Sequence, residues 1–471
     1  MARTKFPLFA LNGFLLVCSV LATFVGVVSA DDFTDLSAGF GTTLTLAGLA
    51  HATTTGTNGI SINFWTNTYE GAVASTVSLS NPHMAGADAY GNVFIADKSG
   101  QAVLKITTNG LIHTFAGTHV GGFNGDGPAP ATSLQLSNVN GLFVFPNGTV
   151  YLLDPGNHRI RCVTTNGQMT TIVNDLTTNW YPSGRALWVS PDEQLIYYTH
   201  EFAPVGTNII ADGATIKKWT TTNGIETVCS KAVGFRNPAN CAVNPVDGKL
   251  YICDRAEEDT TKIATGLFRI DGPDLRTRIT GNISSPIIAS GQLALNSFLD
   301  QPRGLAFRSD GSYFICGHKN GSVWFVGTNG VIHQYLQGRG SADAYSLVNG
   351  MHPPLTGVNY FAQPRAVTLA PNGNLLVVCN DSGFVFRVNY TNTPVAPTDF
   401  RMNAMNTNGA RMSWTGVFGF GYRVERSLDL QPGSWQPIGA AGGRPAGVAT
   451  EFFDPESVSH LRGFYRLLPS F

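Results

Sequence analysis

The sequence predicts an all-β chain, a six-bladed β-propeller followed by a small β-sandwich. Three observations carry that prediction. A unit of four short apolar strands recurs six times; the last unit lacks its fourth strand while an orphan strand stands near the start; and the composition changes after Pro394. Because a four-stranded unit buries its faces only against its neighbours, such repeats close into a ring.

The first element is a leader. Arg3 and Lys5 give a positive start, Phe14 to Val28 is an uncharged apolar run, and Val28-Ser29-Ala30 ends on a small residue before Asp31-Asp32. This is the layout of a cleaved signal peptide over residues 1–30. The run is short for a membrane anchor, and Val17 is bulkier than the residue that precedes a lipidated cysteine. No second long apolar run follows. The chain is expected to be exported, secreted or held at the cell surface, with no membrane span after cleavage.

Residues 31–393 hold the repeats. Each unit opens at a marker, Pro82, Val139, Pro182, Pro238, Pro302 or Pro364. A first turn follows, as in Tyr90-Gly91-Asn92, Pro146-Asn147-Gly148 and Ser309-Asp310-Gly311, and such Asn-Gly and Asp-Gly turns accept the positive φ of tight hairpins. The second strands, among them Val93-Phe94-Ile95-Ala96, Val150-Tyr151-Leu152-Leu153 and Leu375-Leu376-Val377-Val378, are unbroken apolar runs, as in strands buried on both faces. A Thr-Asn-Gly turn recurs at 108–110, 165–167, 222–224 and 328–330. The orphan strand Thr42 to Gly48 resembles the outer strand of unit one, so it is expected to complete the sixth unit and clasp the ring.

The net charge of -1 and the 13% of charged residues leave no basic face for nucleic acid. Beyond the leader stand Cys162, Cys229, Cys241, Cys253, Cys316 and Cys379, too widely spaced for a disulfide scaffold or a CxxC metal site. Cys241 and Cys253 flank the turn Asn244 to Gly248. They either bridge across that hairpin or serve as small buried apolar side chains.

Two stretches carry a family resemblance. Gly122-Phe123-Asn124-Gly125-Asp126-Gly127 with Ala129 and Ala131-Thr132-Ser133 resembles the inter-repeat linker of NHL propellers. Val150 to Arg161, containing Asp154-Pro155-Gly156-Asn157-His158-Arg159, is similar to the NHL signature, strongly in units one and two and loosely in the rest. In that family such Asn, His and Arg residues brace the blade turn. Residues 394–471, with short alternating strands at 402–414, 421–426, 435–439, 449–454 and 463–468, resemble a fibronectin type III-like module. The role that resemblance implies is spacing or surface attachment.

One mouth of the channel collects the loops between units and those after second strands. The long insertions, 118–133, 201–213, 255–264 and 336–358, are expected on that face. Two aligned positions should ring it. The residue after each marker is His83, Asn140, Ser183, Ala239, Arg303 or Arg365; the residue ending each second strand is Asp97, Asp154, Thr199, Asp254, Gly317 or Cys379, with His200 next to the third. The candidate ligand-binding set is His83, Asp97, Asn140, Asp154, His200, Asp254, Arg303 and Arg365. Arginines on one side and aspartates on the other would suit a zwitterionic or polyhydroxyl ligand. The plainer reading of the aspartates is that each caps the turn after it.

These residues point first to a monomeric binding or interaction scaffold with no cofactor, its partner a protein, a glycan or a small molecule. Six-bladed propellers also include calcium- or zinc-dependent lactonases and lyases. In that alternative His83 and His200 with Asp97 or Asp254 would hold the metal, although no HExxH or Gly-x-Ser-x-Gly signature accompanies them. Adhesion at the cell surface, anchored by the C-terminal module, is the third reading. His113 and His333 share an outer-strand position expected to face solvent.

Overall fold

The computed structural model describes residues 39–49, 62–176, 187–200, 214–255, 265–281, 290–340, 349–356, 360–390, 398–406, 408–415, 421–431, 434–442, 449–460 and 463–470, with a few isolated positions besides. The leader over residues 1–30, and Pro182 and Ser183, lie outside them. No helix among the described residues is long and apolar enough to cross a membrane.

Between residues 40 and 390 the strands form six antiparallel sheets of four or five strands, apart from one two-stranded ribbon. Their first strands, Pro82–Ala87, Gly141–Val144, Leu187–Val189, Pro238–Val243, Pro302–Phe307 and Pro364–Leu369, touch one another in cyclic order, the last against the first. The second strands Val93–Asp97, Val150–Asp154, Leu250–Asp254, Tyr313–Gly317 and Leu375–Cys379 are buried at every residue. An unbroken apolar run can sit there because neighbouring sheets cover both faces, and each fully buried Val, Leu or Ile contributes about 1.5–3 kcal/mol.

Backbone geometry explains the turns. Gly148 sits at φ 91° and Gly373 at φ 80°, where a side chain is strained. Unit three has Glu193 at the equivalent place, at φ 59°, and its carboxylate accepts a 2.6 Å hydrogen bond from the Tyr151 hydroxyl of the preceding sheet. That anchor accompanies the less favourable backbone.

The orphan segment forms the strand Phe40–Ala47, which pairs antiparallel with Phe384–Tyr390 in the register Thr43 to Val388 and Thr45 to Phe386. It is the outer strand of the sheet that holds Pro364–Leu369 and Leu375–Cys379. At its end Gly48 has φ +93°, and a Cβ there would meet the Gly383 carbonyl oxygen at 2.2 Å. Only glycine fits that crossing.

Three linkers share a pattern that was visible but unread in the sequence. Ala74 and Leu79, Ala131 and Leu136, and Ala294 and Leu299 are five residues apart, and all are buried. Each alanine opens a short 3-10 turn. Just before two of these turns, Ala129–Pro130 and Gln292–Leu293 add a fifth strand to sheets two and five.

The C-terminal residues form two three-stranded sheets over a core of Met412, Trp414, Tyr422 and Val424. The stretch 402–414, read as one strand, is two: Thr398–Asn406 and Gly409–Thr415 pair as a hairpin. Gly409, paired with Asn406, opens the second strand straight after the turn, at φ +138°. On the short-turn side of the ring, Arg423 Nη1 donates to the Ala89 carbonyl at 3.2 Å.

Candidate functional site

The mouth residues owe their position to irregular pairing. In sheets one, four, five and six the ladder slips between Pro82 and Met84, Pro238 and Asn240, Pro302 and Gly304, and Pro364 and Ala366. Each slip is a β-bulge, which leaves one residue out of register and re-aims it. The four residues so placed are His83, Ala239, Arg303 and Arg365.

Two of them, His83 and Arg365, join one polar cluster across sheets five, six and one. Arg365 Nη1 lies 3.5 Å from His83 Nε2, and Arg365 Nη2 lies 3.5 Å from Asp381 Oδ1. His318 Nε2 approaches the other Asp381 oxygen at 3.8 Å. His83 Nδ1 sits 3.0 Å from the Asn81 carbonyl and 3.1 Å from Asn380 Nδ2, which also donates to Asn81 Oδ1 at 2.6 Å. Arg303 Nη2 donates to Gln301 Oε1 at 3.1 Å. His83 and Arg303 are each 2% exposed, so these groups are held in an environment that strengthens electrostatic contacts.

His318, Asn380 and Asp381 were missed from the sequence. They follow the second strands that end in Gly317 and Cys379, just as His200 follows Thr199. Where the strand does not end on aspartate, the next residues are polar. That rule would have found them.

The three aspartates are committed elsewhere. Asp97 accepts from the Ser80 and Asn81 amides at 3.0 and 2.6 Å, and Asp254 from the Arg236 and Asn237 amides at 2.8 and 2.7 Å. Asp154 accepts from the Ser137 amide at 2.7 Å, from Asn157 Nδ2 at 2.9 Å and from Arg161 Nε at 2.8 Å. Each carboxylate thus caps the loop that leads into its own sheet, 16–18 residues upstream, and Asp154 also bonds to the turn that follows it, at Asn157. Burial raises the pKa of Asp97 and of Asp154, and the capping amides and, for Asp154, Arg161 oppose that rise.

His200 and Asn140 also stand apart from the cluster. His200 Nε2 lies 3.3 Å from Asp175 Oδ2, which pairs with Lys217 Nζ at 3.1 Å and accepts from Tyr198 at 2.9 Å. Asn140 is fully buried, and neither amide atom finds a partner among the described residues. The metal set of His83 and His200 with Asp97 or Asp254 is therefore not assembled. Among the described residues no group of three or more His, Cys, Asp or Glu is placed to hold a metal ion.

Two of the long insertions depart from the expected mouth position. Residues 118–133 run along the outer edge of sheet two, where Arg159 stacks over Phe123 at 4.0 Å and its Nε donates to Asp126 at 2.6 Å. The described part of 336–358 buttresses the closing strand: the Thr43 amide donates to the Met351 carbonyl at 2.9 Å and the Thr45 amide to Asn349 Oδ1 at 2.8 Å. Most of 201–213 and of 255–264 lies outside the described residues. His333, expected in solvent, is buried and stacks on Phe33 with centroids 4.5 Å apart, whereas His113 is half-buried and pairs with Glu70 at 2.8 Å.

No protein-family model matches the chain, and no curated protein matches it in sequence. Solved structures do. A protein of unknown function from Bacteroides thetaiotaomicron is 14% identical with a TM-score of 0.51, covering 74% of this chain and 75% of its own. An auxiliary nutrient binding protein from the same organism is 11% identical with a TM-score of 0.50, covering 74% and 76%. A gluconolactonase from Xanthomonas campestris is 13% identical over 75% of this chain and 91% of its own, with a TM-score of 0.44. At such identities the first two likenesses show the fold alone, and that fold, like the six-sheet ring itself, is the all-β propeller.

Proposed function

We propose that this chain is an exported binding scaffold of the NHL type, whose ligand engages the channel mouth where sheets five, six and one meet. The observation that carries this reading is the cluster of Arg365, His83, His318, Asn380 and Asp381, with Arg303 at the same bulge position of the neighbouring sheet. The bulges bring His83 and Arg365 together from separate sheets, and donors outnumber the one carboxylate, which suits a small ligand rich in acceptors, such as a polyhydroxyl or zwitterionic compound. The linker alanines and leucines, and the bracing of Asp154 by Asn157 and Arg161, support the NHL assignment. Export rests on the leader sequence. The C-terminal sheets are read as a fibronectin type III-like spacer or attachment module. The alternative is a lactonase- or lyase-like enzyme with calcium or zinc, for which the described residues offer no group of three or more His, Cys, Asp or Glu around one ion.

Glycan, peptide and small-molecule arrays probed with the purified protein test this. Arg303→Gln combined with Arg365→Gln should weaken whatever binds by at least about ten-fold, since each removes a charged hydrogen-bond donor, with the melting temperature near that of the parent. Asn109, Asn166 and Asn329 changed to Ala on the opposite face should leave affinity unaltered. Hydrogen exchange that protects the short turns and not the mouth would defeat the assignment, and a zinc- or calcium-dependent lactonase or lyase activity abolished by His83→Ala would restore the enzyme reading.

A further inference from the structure

The other end of the channel is lined by residues apart from the mouth cluster. A cavity of 470 Å³ runs from Met84 and Asn240 down to the short turns at Pro146, Pro245 and Pro371, and Ala441 of the C-terminal sheets borders it. That volume is typical of small-molecule pockets, which favour places where two structural units meet. Phe143, Trp188 and Phe307 supply aromatic wall.

The wall holds charged and amide donors but no carboxylate. Asn240 is 2% exposed and its Nδ2 finds no acceptor among the described residues. A buried donor left in that state is costly, and a ligand acceptor would relieve it. Arg308 lies in the wall as well, and no aspartate or glutamate does. An arginine and a buried amide donor, with no carboxylate beside them in the wall, favour a ligand that carries an acceptor over a cation.

We propose that this cavity binds a small planar aromatic molecule bearing a carbonyl or carboxylate, with Asn240 Nδ2 donating to that oxygen and the ring lying against Trp188. The full chain is titrated with 2-naphthoate and, separately, with 2-naphthylmethylammonium, following tryptophan fluorescence. We expect one 2-naphthoate per chain and quenching that Trp188→Phe removes. The ammonium compound, with the same ring and no acceptor, should bind at least about ten-fold more weakly. Asn240→Leu should weaken 2-naphthoate about ten-fold, the value of one charge-assisted hydrogen bond. Because Asn240 is buried, Arg308→Gln serves as a second wall variant and should also weaken it. Arg303→Gln with Arg365→Gln should have no effect, which separates this site from the mouth. Absence of saturable quenching at millimolar 2-naphthoate overturns the proposal, as does binding that both wall variants leave unchanged or that prefers the ammonium compound.

Discussion

Asp154 and Arg161 show how much of this protein's polar chemistry holds loops in place. Neither side chain has any exposed surface, and Arg161 also donates through Nη1 to the Gly125 carbonyl at 2.8 Å. A buried pair of this kind adds little net stability, because desolvating both charges offsets their attraction, but breaking it strands one charge. Asp154→Ala should therefore cost about 3–5 kcal/mol in guanidinium denaturation, while Asp154→Ala with Arg161→Leu should recover much of that loss. A single mutant within about 1 kcal/mol of the parent would mean that the ion pair does not hold the linker. The mouth arginines differ in kind: Arg365 lies between His83 and Asp381 at 3.5 Å from each, contacts too long to be strong structural bonds and well placed to rearrange around a ligand.

At the scale of one sheet, register decides what sequence proximity suggests. Cys241 and Cys253 flank a hairpin turn, yet Cys241 stands opposite Ile252 and Cys253 opposite Asn240. One step out of register sends the two side chains to opposite faces, and each joins a different core cluster. Both are free, as are Cys162, Cys229, Cys316 and Cys379, and all are buried. Burial also pushes the Cys162 thiol up to about 12 and the Cys229 thiol to about 11. A chain beginning after residue 30 should thus give no reaction with Ellman's reagent when native and six thiols in guanidinium; four would reveal the bridge after all. The closing strand makes a second element-scale prediction. Removing every residue before Leu49 leaves Phe384–Tyr390 as an unpaired edge and uncovers Phe40's place among Phe314 and Tyr335. The melting temperature should fall by far more than trimming a free terminus would cause, and an unchanged melt would show that the ring closes without it.

Over the whole molecule, the two ends of the channel are unlike. One has His83, Arg303 and Arg365 delivered by bulges; the other lies among short turns beside Ala441, and near it Arg423 reaches the Ala89 carbonyl. Ending the chain at Tyr390 should leave mouth binding intact, because every residue of that cluster precedes the cut. The same truncation should weaken 2-naphthoate, which loses the wall at Ala441, and it should abolish any surface attachment that depends on the C-terminal sheets. Equal loss at both ends, measured by titration of the truncated chain, would mean that the channel works as one site.

Repeats, turns and the clasping strand were legible in the sequence because each is a local pattern. An unbroken apolar run, a Gly at a tight turn and an orphan strand are each recognised from residues near one another in the chain. The three alanine-leucine linkers were legible by the same rule and simply went unread. The candidate site was half legible: alignment of the units located His83, Arg303 and Arg365, but not their partners His318, Asn380 and Asp381. What the aspartates do was beyond that reading, since a carboxylate that ends one strand serves amides 16–18 residues earlier, across the sheet. The bulges, the opposed faces of Cys241 and Cys253, and the cavity beside Ala441 belong to tertiary structure alone. A one-residue slip in register is invisible to a periodic pattern, yet it determines which side chain faces the channel.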